Sequence, residues 1–393
     1  MPAAVWTSDV WLALLLPMAL ALVGWRLPRS WASIVEIFSL RSLDPNDSPP
    51  FSLPRARNAF ARYRQLSSIE ATQLHVAYQT VSRAHKRMGY ELGYPAKFKR
   101  QAEVIDANGR VTDAIARLAE SDDLTPRGGT SSDLMRVKEA LKHFIRDWSA
   151  EGLSERDKIF SPILEVLRRD DDRSGKRVLV PGAGLGRLAW EISELGFLET
   201  SANELSYFMM LALRLLLSPS TTSRLNQHTI HPYAQWFSHQ RSNDSLFRGI
   251  AFPDALPRLS PRFTLLDSDF LKLRRPPATP VQPDQTSGYD YITTLFFIDT
   301  STNILATLEQ IYALLRPGGT WLNLGPLLWT SGGQAKMELS LEEVVAAAEM
   351  IGFEFAPQGG EKTRTVECEY TADANAMMRW VYRAEFWVAR KPG

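Results

Sequence analysis

The stretch that decides the fold is PGAGLGRLAW, residues 181–190. It follows the apolar run RVLV (177–180) and precedes a helical pattern, which together predict a strand, a glycine-rich turn and a helix. Gly182, Gly184 and Gly186 fall where that strand ends, and their backbone N–H groups can approach a ligand because no Cβ atom obstructs them. Such a turn is typical of a nucleotide-containing cofactor site, and equally of close packing between a strand and a helix.

Further strands and helices alternate after this turn. The strands are predicted at RFTLLDSDF (262–270), YDYITTLFFID (289–299) and TWLNLG (320–325), with helical patterns between them. This alternation is typical of a parallel sheet with helices on both faces. We therefore expect an α/β fold in which residues 136–393 form the main domain.

The N-terminal third is different in character. Residues 1–30 form a hydrophobic leader, and its uncharged segment 10–25 has the borderline length of a membrane anchor. Positively charged residues follow that segment, which predicts that an anchored protein has its catalytic domain in the cytosol. If the segment is not an anchor, we expect the protein in the cytoplasm or nucleus. A buried or interfacial helix is the alternative. Residues 31–56 are predicted to be a linker and 57–135 a helical region, which DANGRVTD (106–113) interrupts.

The composition excludes several classes of protein. The 393 residues include 45 basic and 44 acidic side chains, so the net charge of +1 gives no electrostatic basis for a nucleic-acid partner. The single cysteine, Cys368, has no partner for an intramolecular disulfide, and the six histidines do not show zinc-ligand spacing. No metal site is predicted.

Acidic and aromatic residues after the strands point to an adenosine-containing cofactor. Arg187 stands where the dinucleotide fingerprint has its third glycine, which disfavours NAD. Glu204 follows the next predicted strand, where a carboxylate can accept hydrogen bonds from both ribose hydroxyls. Asp269 and Phe270 follow the third strand and can contact an adenine amino group and cover the base, or else can form a turn and part of the core.

At these residues the chain resembles the carnosine N-methyltransferase family. The resemblance implies a Rossmann-like class I methyltransferase sheet with an N-terminal helical extension, and S-adenosylmethionine as the cofactor. It also implies methyl transfer to an imidazole nitrogen of carnosine, which gives anserine, and therefore a small-molecule or dipeptide partner. The matching stretches are FIRDWSAEGLSERD, VLVPGAGLGRLAWEISELGF, NELSYFMM, FFIDTSTNI, LLRPGGTWLNLGPLLW and YTADANAMMRWVYRAEFWVARKP.

The resemblance also implies roles for individual residues. Of these, Asp299, Tyr382 and Thr330 are expected to be catalytic. The expected cofactor-binding residues are His143, Arg146, Gly182, Gly184, Gly186, Glu204, Asp269 and Phe270. The expected acceptor-binding residues are Phe296, Asp299, Thr330, Tyr370 and Tyr382. From the sequence alone, Asp299 can equally be a helix N-cap, and the two tyrosines can equally be core aromatics.

Two positions depart from the family pattern. Thr330 stands where the family has a histidine, and a threonine hydroxyl cannot act as a general base near neutral pH. Either Asp299 takes the proton alone or the acceptor differs. His143 stands where the family has a glutamine, and both side chains can donate and accept hydrogen bonds. The alternative function is a catalytically silent S-adenosylmethionine-binding scaffold, and a homodimer is left open.

Overall fold

The chain is described here by a computed structural model over most of its length. It covers residues 49–119, 130–278, 287–329, 335–357 and 359–393. The predicted anchor at 10–25 and the predicted acceptor residue Thr330 lie outside these ranges. Within them, the helices are too short or too polar to span a bilayer. Membrane attachment and dimer formation therefore stay predictions.

Helices fill the N-terminal part of the described chain. They are α1 (Leu53–Ala61), α2 (Tyr63–Gln79), α3 (Arg83–Glu91), α4 (Tyr94–Arg117), α5 (Ser131–Trp148) and α6 (Leu153–Arg168). Helix α1 starts inside the stretch 31–56 that was predicted to be a linker, with a proline in its first turn. Helix α5 crosses the predicted boundary at 135/136, and a capping box from Thr130 and Asp133 starts it.

The predicted interruption at 106–113 is wrong, because these residues lie inside α4. The Asn108 side chain donates to the Tyr63 hydroxyl and to the His231 carbonyl, both at 3.0 Å. A Cβ atom on Gly109 would come within 2.3 Å of the Arg64 side chain. Tertiary contacts thus compensate for the low helix propensity of an Asn-Gly pair.

A mainly parallel sheet forms the centre of the molecule. The strands of the described chain are β1 (Arg177–Pro181), β2 (Glu199–Asn203), β3 (His228–Ile230), β4 (Ile250–Phe252), β5 (Phe263–Leu266), β6 (Tyr289–Leu295), β7 (Leu315–Gly325), β8 (Glu354–Ala356), β9 (Arg364–Cys368) and β10 (Tyr382–Arg390). The central sheet has the strand order β5-β2-β1-β6-β7-β10-β8, with β9 pairing on β10, and β10 is antiparallel to β7, β8 and β9. A separate hairpin is made by β3 and β4. The helices between them are α7 (Arg187–Glu194), α8 (Tyr207–Leu217), α9 (Asn243–Leu246), α10 (Ile304–Leu314) and α11 (Leu341–Ile351).

Both faces of this sheet are covered by helices, which confirms the predicted α/β class. Successive side chains of a strand point to opposite faces. Accordingly, Val178 and Val180 join the core formed with the N-terminal helices, α7 and α8, whereas Leu179 joins the core formed with α10 and α11. Phe60 of α1 packs on Phe208 of α8 with ring centroids 6.1 Å apart, so the helical extension shares the main core.

Candidate active site

The glycine turn lies where β1 ends and α7 begins, as its sequence predicts. Gly182, Gly184 and Gly186 all have positive φ angles, of 61°, 56° and 73°. Residues that carry a Cβ atom rarely adopt this backbone conformation, so the turn requires glycine. The turn is thereby held at the edge of the sheet where the parallel strands β1, β2 and β6 also end.

Replacing Gly182 by alanine tests how tightly this turn is packed. The new Cβ would lie 2.5 Å from the Phe297 ring, so the ring must move in addition to the backbone strain. We expect the variant to lose roughly 1–3 kcal/mol of unfolding free energy and to bind S-adenosylmethionine more weakly. Thermal unfolding and isothermal titration measure both effects.

Gly196→Ala is the matched control for that variant. Gly196 also has a positive φ, of 91°, but a Cβ atom added there would meet nothing within 4 Å among the described residues. The Gly196→Ala variant should therefore show backbone strain alone and keep its affinity for the cofactor. Equal losses of affinity in the two variants would contradict a specific role for the contact between Gly182 and Phe297.

Three of the predicted cofactor residues surround Gly184. Glu204 accepts hydrogen bonds from the backbone N–H groups of Gly184 at 2.9 Å and Ser206 at 2.8 Å, and burial raises its pKa. A Cβ on Gly184 would lie 3.9 Å from Nη2 of Arg146 and 4.0 Å from Nδ1 of His143. The structure thus brings a carboxylate, a cation and an imidazole together at one turn.

Unused hydrogen-bonding groups at this turn fit S-adenosylmethionine. Nη1 of Arg146 and Nδ1 of His143 are buried, and neither forms a hydrogen bond to the described residues. A buried donor without a partner is costly, and the carboxylate of a methionine group would satisfy the arginine. Each Glu204 oxygen accepts one backbone hydrogen bond and keeps a lone pair for a ribose hydroxyl. The residues present therefore match the cofactor's charged and hydroxyl groups.

Asp147 was missed by sequence reasoning, although it fixes Arg146. Its carboxylate accepts from Nε of Arg146 at 2.6 Å and from Nη2 at 2.9 Å, a bidentate pair inside the protein. Burial opposes ionisation of Asp147, but the charge and hydrogen bonds of Arg146 and the nearby His143 ring together outweigh burial and hold the pKa of Asp147 well below its usual range. An acid directly after a cation in a helix carries no sequence signal for this pairing.

The predicted adenine residues lie one strand further along the sheet. Asp269 caps a short 3-10 helix, Phe270–Lys272, and accepts from the Leu271 N–H at 3.0 Å. Phe270 is buried and packs edge-on against Phe297, with ring centroids 5.3 Å apart. Phe297 was also missed, and it joins the glycine turn to Phe270. Asp269 thus forms a turn and Phe270 is part of the core, the two local roles that the sequence also allows.

Arg187 forms part of the helix packing next to the turn. Its Nη1 pairs with Asp254 at 2.5 Å, and its guanidinium lies 4.9 Å from the centre of the Trp148 ring. The buried side chain therefore has a packing role in addition to interrupting the dinucleotide fingerprint.

The predicted acceptor aromatics form one cluster. Phe296 stacks on Tyr370 with centroids 4.1 Å apart, and Tyr382 meets Phe296 edge-on at 5.3 Å. The Arg146 guanidinium lies 4.3 Å from the centre of the Tyr370 ring, and His143 meets Tyr370 at 5.8 Å. Tyr370 consequently contacts both the acceptor cluster and the residues around Gly184.

Asp299 is a buried carboxyl group beside this cluster. Burial raises its pKa to about 7, and its Oδ2 accepts a hydrogen bond from the Leu328 N–H at 3.2 Å. Its charge also adds to the effect of burial in raising the pKa of Tyr382. The N-cap interpretation is wrong, because Asn303 caps α10 by accepting from the Ala306 N–H. An acid with this pKa can take up or release a proton near neutral pH.

Comparison with known proteins identifies the family of this chain. The family model described as carnosine N-methyltransferase matches residues 125–393. Carnosine N-methyltransferase of Schizosaccharomyces pombe is 32% identical over 368 residues, which cover 86% of this chain and 95% of that protein. The Mus musculus enzyme of the same name is 32% identical over 298 residues, or 73% of this chain and 67% of that protein.

Among solved structures, magnesium protoporphyrin IX methyltransferase from Synechocystis with bound S-adenosylmethionine is 11% identical, with a TM-score of 0.34. That match covers 65% of this chain and 97% of the other. From the family match and the two curated relatives, the chain belongs to the carnosine N-methyltransferase family and is an S-adenosylmethionine-dependent methyltransferase.

Proposed function

We propose that this enzyme methylates an imidazole nitrogen of carnosine, giving anserine, or of a related histidine-containing small molecule or peptide. The observation that carries the proposal is the buried Asp299, with a pKa of about 7, beside the Phe296, Tyr370 and Tyr382 cluster. Aromatic walls suit a planar ring, and a carboxyl group with this pKa suits a ring that exchanges a proton near neutral pH. The relatives named as carnosine N-methyltransferases support the same acceptor.

The residues around Gly184 hold the methyl donor in this proposal. Arg146 and His143 bind the amino-acid end, Glu204 binds the ribose, and Asp269 and Phe270 lie on the adenine side. When bound, S-adenosylmethionine supplies an electrophilic methyl group on a sulfonium. Since the reaction is an in-line displacement, the protein contributes mainly by holding the nucleophile in position.

Asp299 handles the proton. The N–CH3 bond would form at the unprotonated nitrogen of a neutral imidazole while the S–CH3 bond breaks. The positive charge of the sulfonium would pass to the ring, and a neutral thioether would leave. The ionised Asp299 carboxylate stabilises this charge and accepts the N–H proton of the other nitrogen, which leaves a neutral methylated ring. Tyr370 and Tyr382 orient the ring, and Asp299 performs this step without a histidine at position 330.

A panel of acceptors tests the proposal. The full chain is incubated with S-adenosylmethionine and carnosine, free histidine or histidine-containing peptides, with β-alanyl-alanine as the acceptor that lacks imidazole. Mass spectrometry should find one added methyl group on an imidazole compound and none on β-alanyl-alanine. Methylation of β-alanyl-alanine at a similar rate would contradict an imidazole acceptor.

The Thr330→His substitution tests the departure from the family pattern. It restores the family's histidine, so we expect turnover of carnosine to rise. Thr330→Asn, which gives a polar side chain without a base near neutral pH, is the control. Initial rates with carnosine measure the effect, and an unchanged rate in the histidine variant would show that Thr330 does not limit carnosine use.

The silent-scaffold alternative is not favoured. The relatives carry the names of enzymes, and the residues proposed for the cofactor and for Asp299's proton transfer are present in this chain. Cofactor binding with no methyl transfer across the whole panel would revive that alternative.

A further inference from the structure

A glutamate outside the predicted site contacts the backbone next to Tyr370. Glu155 lies in the first turn of α6, and Oε1 accepts from the Thr371 N–H at 2.6 Å. Its Oε2 accepts from the Ala372 N–H at 3.2 Å. One carboxylate therefore binds two successive backbone groups, directly after the tyrosine that stacks on Phe296.

The backbone held in this way is strained. Thr371 has a φ of 53°, a left-handed conformation that is an outlier for a β-branched residue. Such a conformation persists only where surrounding contacts impose it. The two charge-assisted hydrogen bonds that Glu155 accepts are contacts of this kind, because a carboxylate accepts hydrogen bonds from backbone N–H groups strongly.

A cavity lies beneath the segment that contains this turn. We call residues 369–381, which connect β9 to β10, the strap. A cavity of about 400 Å³ lies between the strap and the adjoining ends of α5 and α6, and Glu155 is among the residues that line it. Further along the strap, Asp373 pairs with Arg248 at 2.7 Å and the Met377 N–H donates to the His239 carbonyl at 2.6 Å. The strap is thus held across the cavity by polar contacts, and those of Glu155 are next to Tyr370.

We propose that Glu155 is a positioning residue for the methyl acceptor, acting through the Thr371 turn to hold the Tyr370 ring on Phe296. The inference rests on the proposed function, in which Tyr370 is a wall of the acceptor site. Glu155 itself contacts neither the acceptor nor the methyl donor in this account.

The test compares Glu155→Gln with Asp157→Asn, a control that removes an exposed carboxylate from the same helix. Glutamine keeps one accepting oxygen but places an NH2 group against the second N–H. We expect hydrogen exchange of the strap to accelerate and KM for carnosine to rise, each by about tenfold, the size of a lost charge-assisted bond. The dissociation constant of S-adenosylmethionine and the unfolding temperature should change little, and Asp157→Asn should behave as wild type.

Adding Thr371→Gly to Glu155→Gln supplies a rescue that a merely structural role would not predict. Glycine adopts the positive φ without strain, so KM for carnosine should recover towards the wild-type value. Normal exchange of the strap in Glu155→Gln, or normal KM with accelerated exchange, would overturn the inference.

Tyr370→Ala separates this inference from the proposed function. If Tyr370→Ala leaves KM for the imidazole acceptor unchanged, or if wild-type enzyme methylates none of the imidazole compounds of the panel, the proposed function fails. The exchange measurement then still decides whether Glu155 holds the turn. If Tyr370→Ala raises KM but Glu155→Gln does not, the inference alone fails.

Discussion

The Asp299→Asn variant should lose roughly 10²–10⁴-fold in kcat with carnosine, the usual contribution of a general base. Asparagine has nearly the same shape and can still accept the hydrogen bond from Leu328, but it cannot take a proton. The affinity for S-adenosylmethionine should stay unchanged. Glu309→Gln, which alters an exposed acid on the following helix, is the control and should keep full activity.

The pH dependence of that variant provides a second readout. Activity of the wild type should fall as the pH drops through about 7, because Asp299 must be ionised to accept the proton. The imidazole substrate also protonates in this pH range. The pH profile of Asp299→Asn therefore shows how much of the fall in activity comes from protonation of the substrate. Identical wild-type and variant profiles, with a small difference in rate, would contradict the role of Asp299.

The effect of pH on stability should be opposite to its effect on activity, because ionisation of Asp299 lowers the free energy of unfolding. The folded-state pKa of about 7 is above the ordinary aspartate value of 3.8, so the native state binds more protons than the unfolded state between these values. The contribution of Asp299 is therefore most favourable below pH 4 and is lost as the pH rises through 7. At pH 8 we expect Asp299→Asn to be more stable than wild type by on the order of 3 kcal/mol, measured by urea unfolding.

Arg146→Met should have the second largest effect. The substitution removes the cation at Gly184 and leaves Asp147 as a buried charge without its bidentate partner. We expect about 100-fold weaker binding of S-adenosylmethionine and a loss of roughly 3–5 kcal/mol of unfolding free energy. Isothermal titration and urea unfolding measure the two losses.

A double variant separates the two losses. Arg146→Met with Asp147→Leu removes both charges, so stability should return towards that of the wild type while cofactor affinity should not. Lys142→Met is the control on the same helix, since this lysine is half-exposed and lies 3.6 Å from its partner Glu139. Wild-type affinity in the stabilised double variant would show that Arg146 does not bind the cofactor.

The parts that sequence predicted well depend on local pattern. The glycine turn, the strand before it and the helix after it follow from backbone requirements at Gly182, Gly184 and Gly186. Alternation of apolar segments indicated the α/β class because a parallel sheet needs a helix between its strands. Glu204 was found for the same reason, since residues that follow neighbouring parallel strands meet at one edge.

The parts that were missed depend on contacts between distant segments. The Asn108-Gly109 pair lies in a helix because Tyr63, Arg64 and His231 pack against it, and none of these lies near it in sequence. Three residues that contact or adjoin predicted site residues were also missed, namely Asp147, Phe297 and Glu155. Their types and spacings are those of ordinary helix and loop residues, so the sequence does not single them out. The antiparallel β10 likewise required a partner in β7, more than fifty residues earlier.

In the proposed reaction, the site places an imidazole ring between Asp299 and the methyl donor. Tandem mass spectrometry of carnosine treated with the full chain and S-adenosylmethionine tests it most directly, because fragmentation shows which half of the dipeptide carries the methyl group. We expect one methyl group on the histidine fragment, with the signal strongly reduced in Asp299→Asn. A methyl group on the β-alanine fragment, or a histidine-fragment signal that Asp299→Asn leaves unchanged, would contradict it.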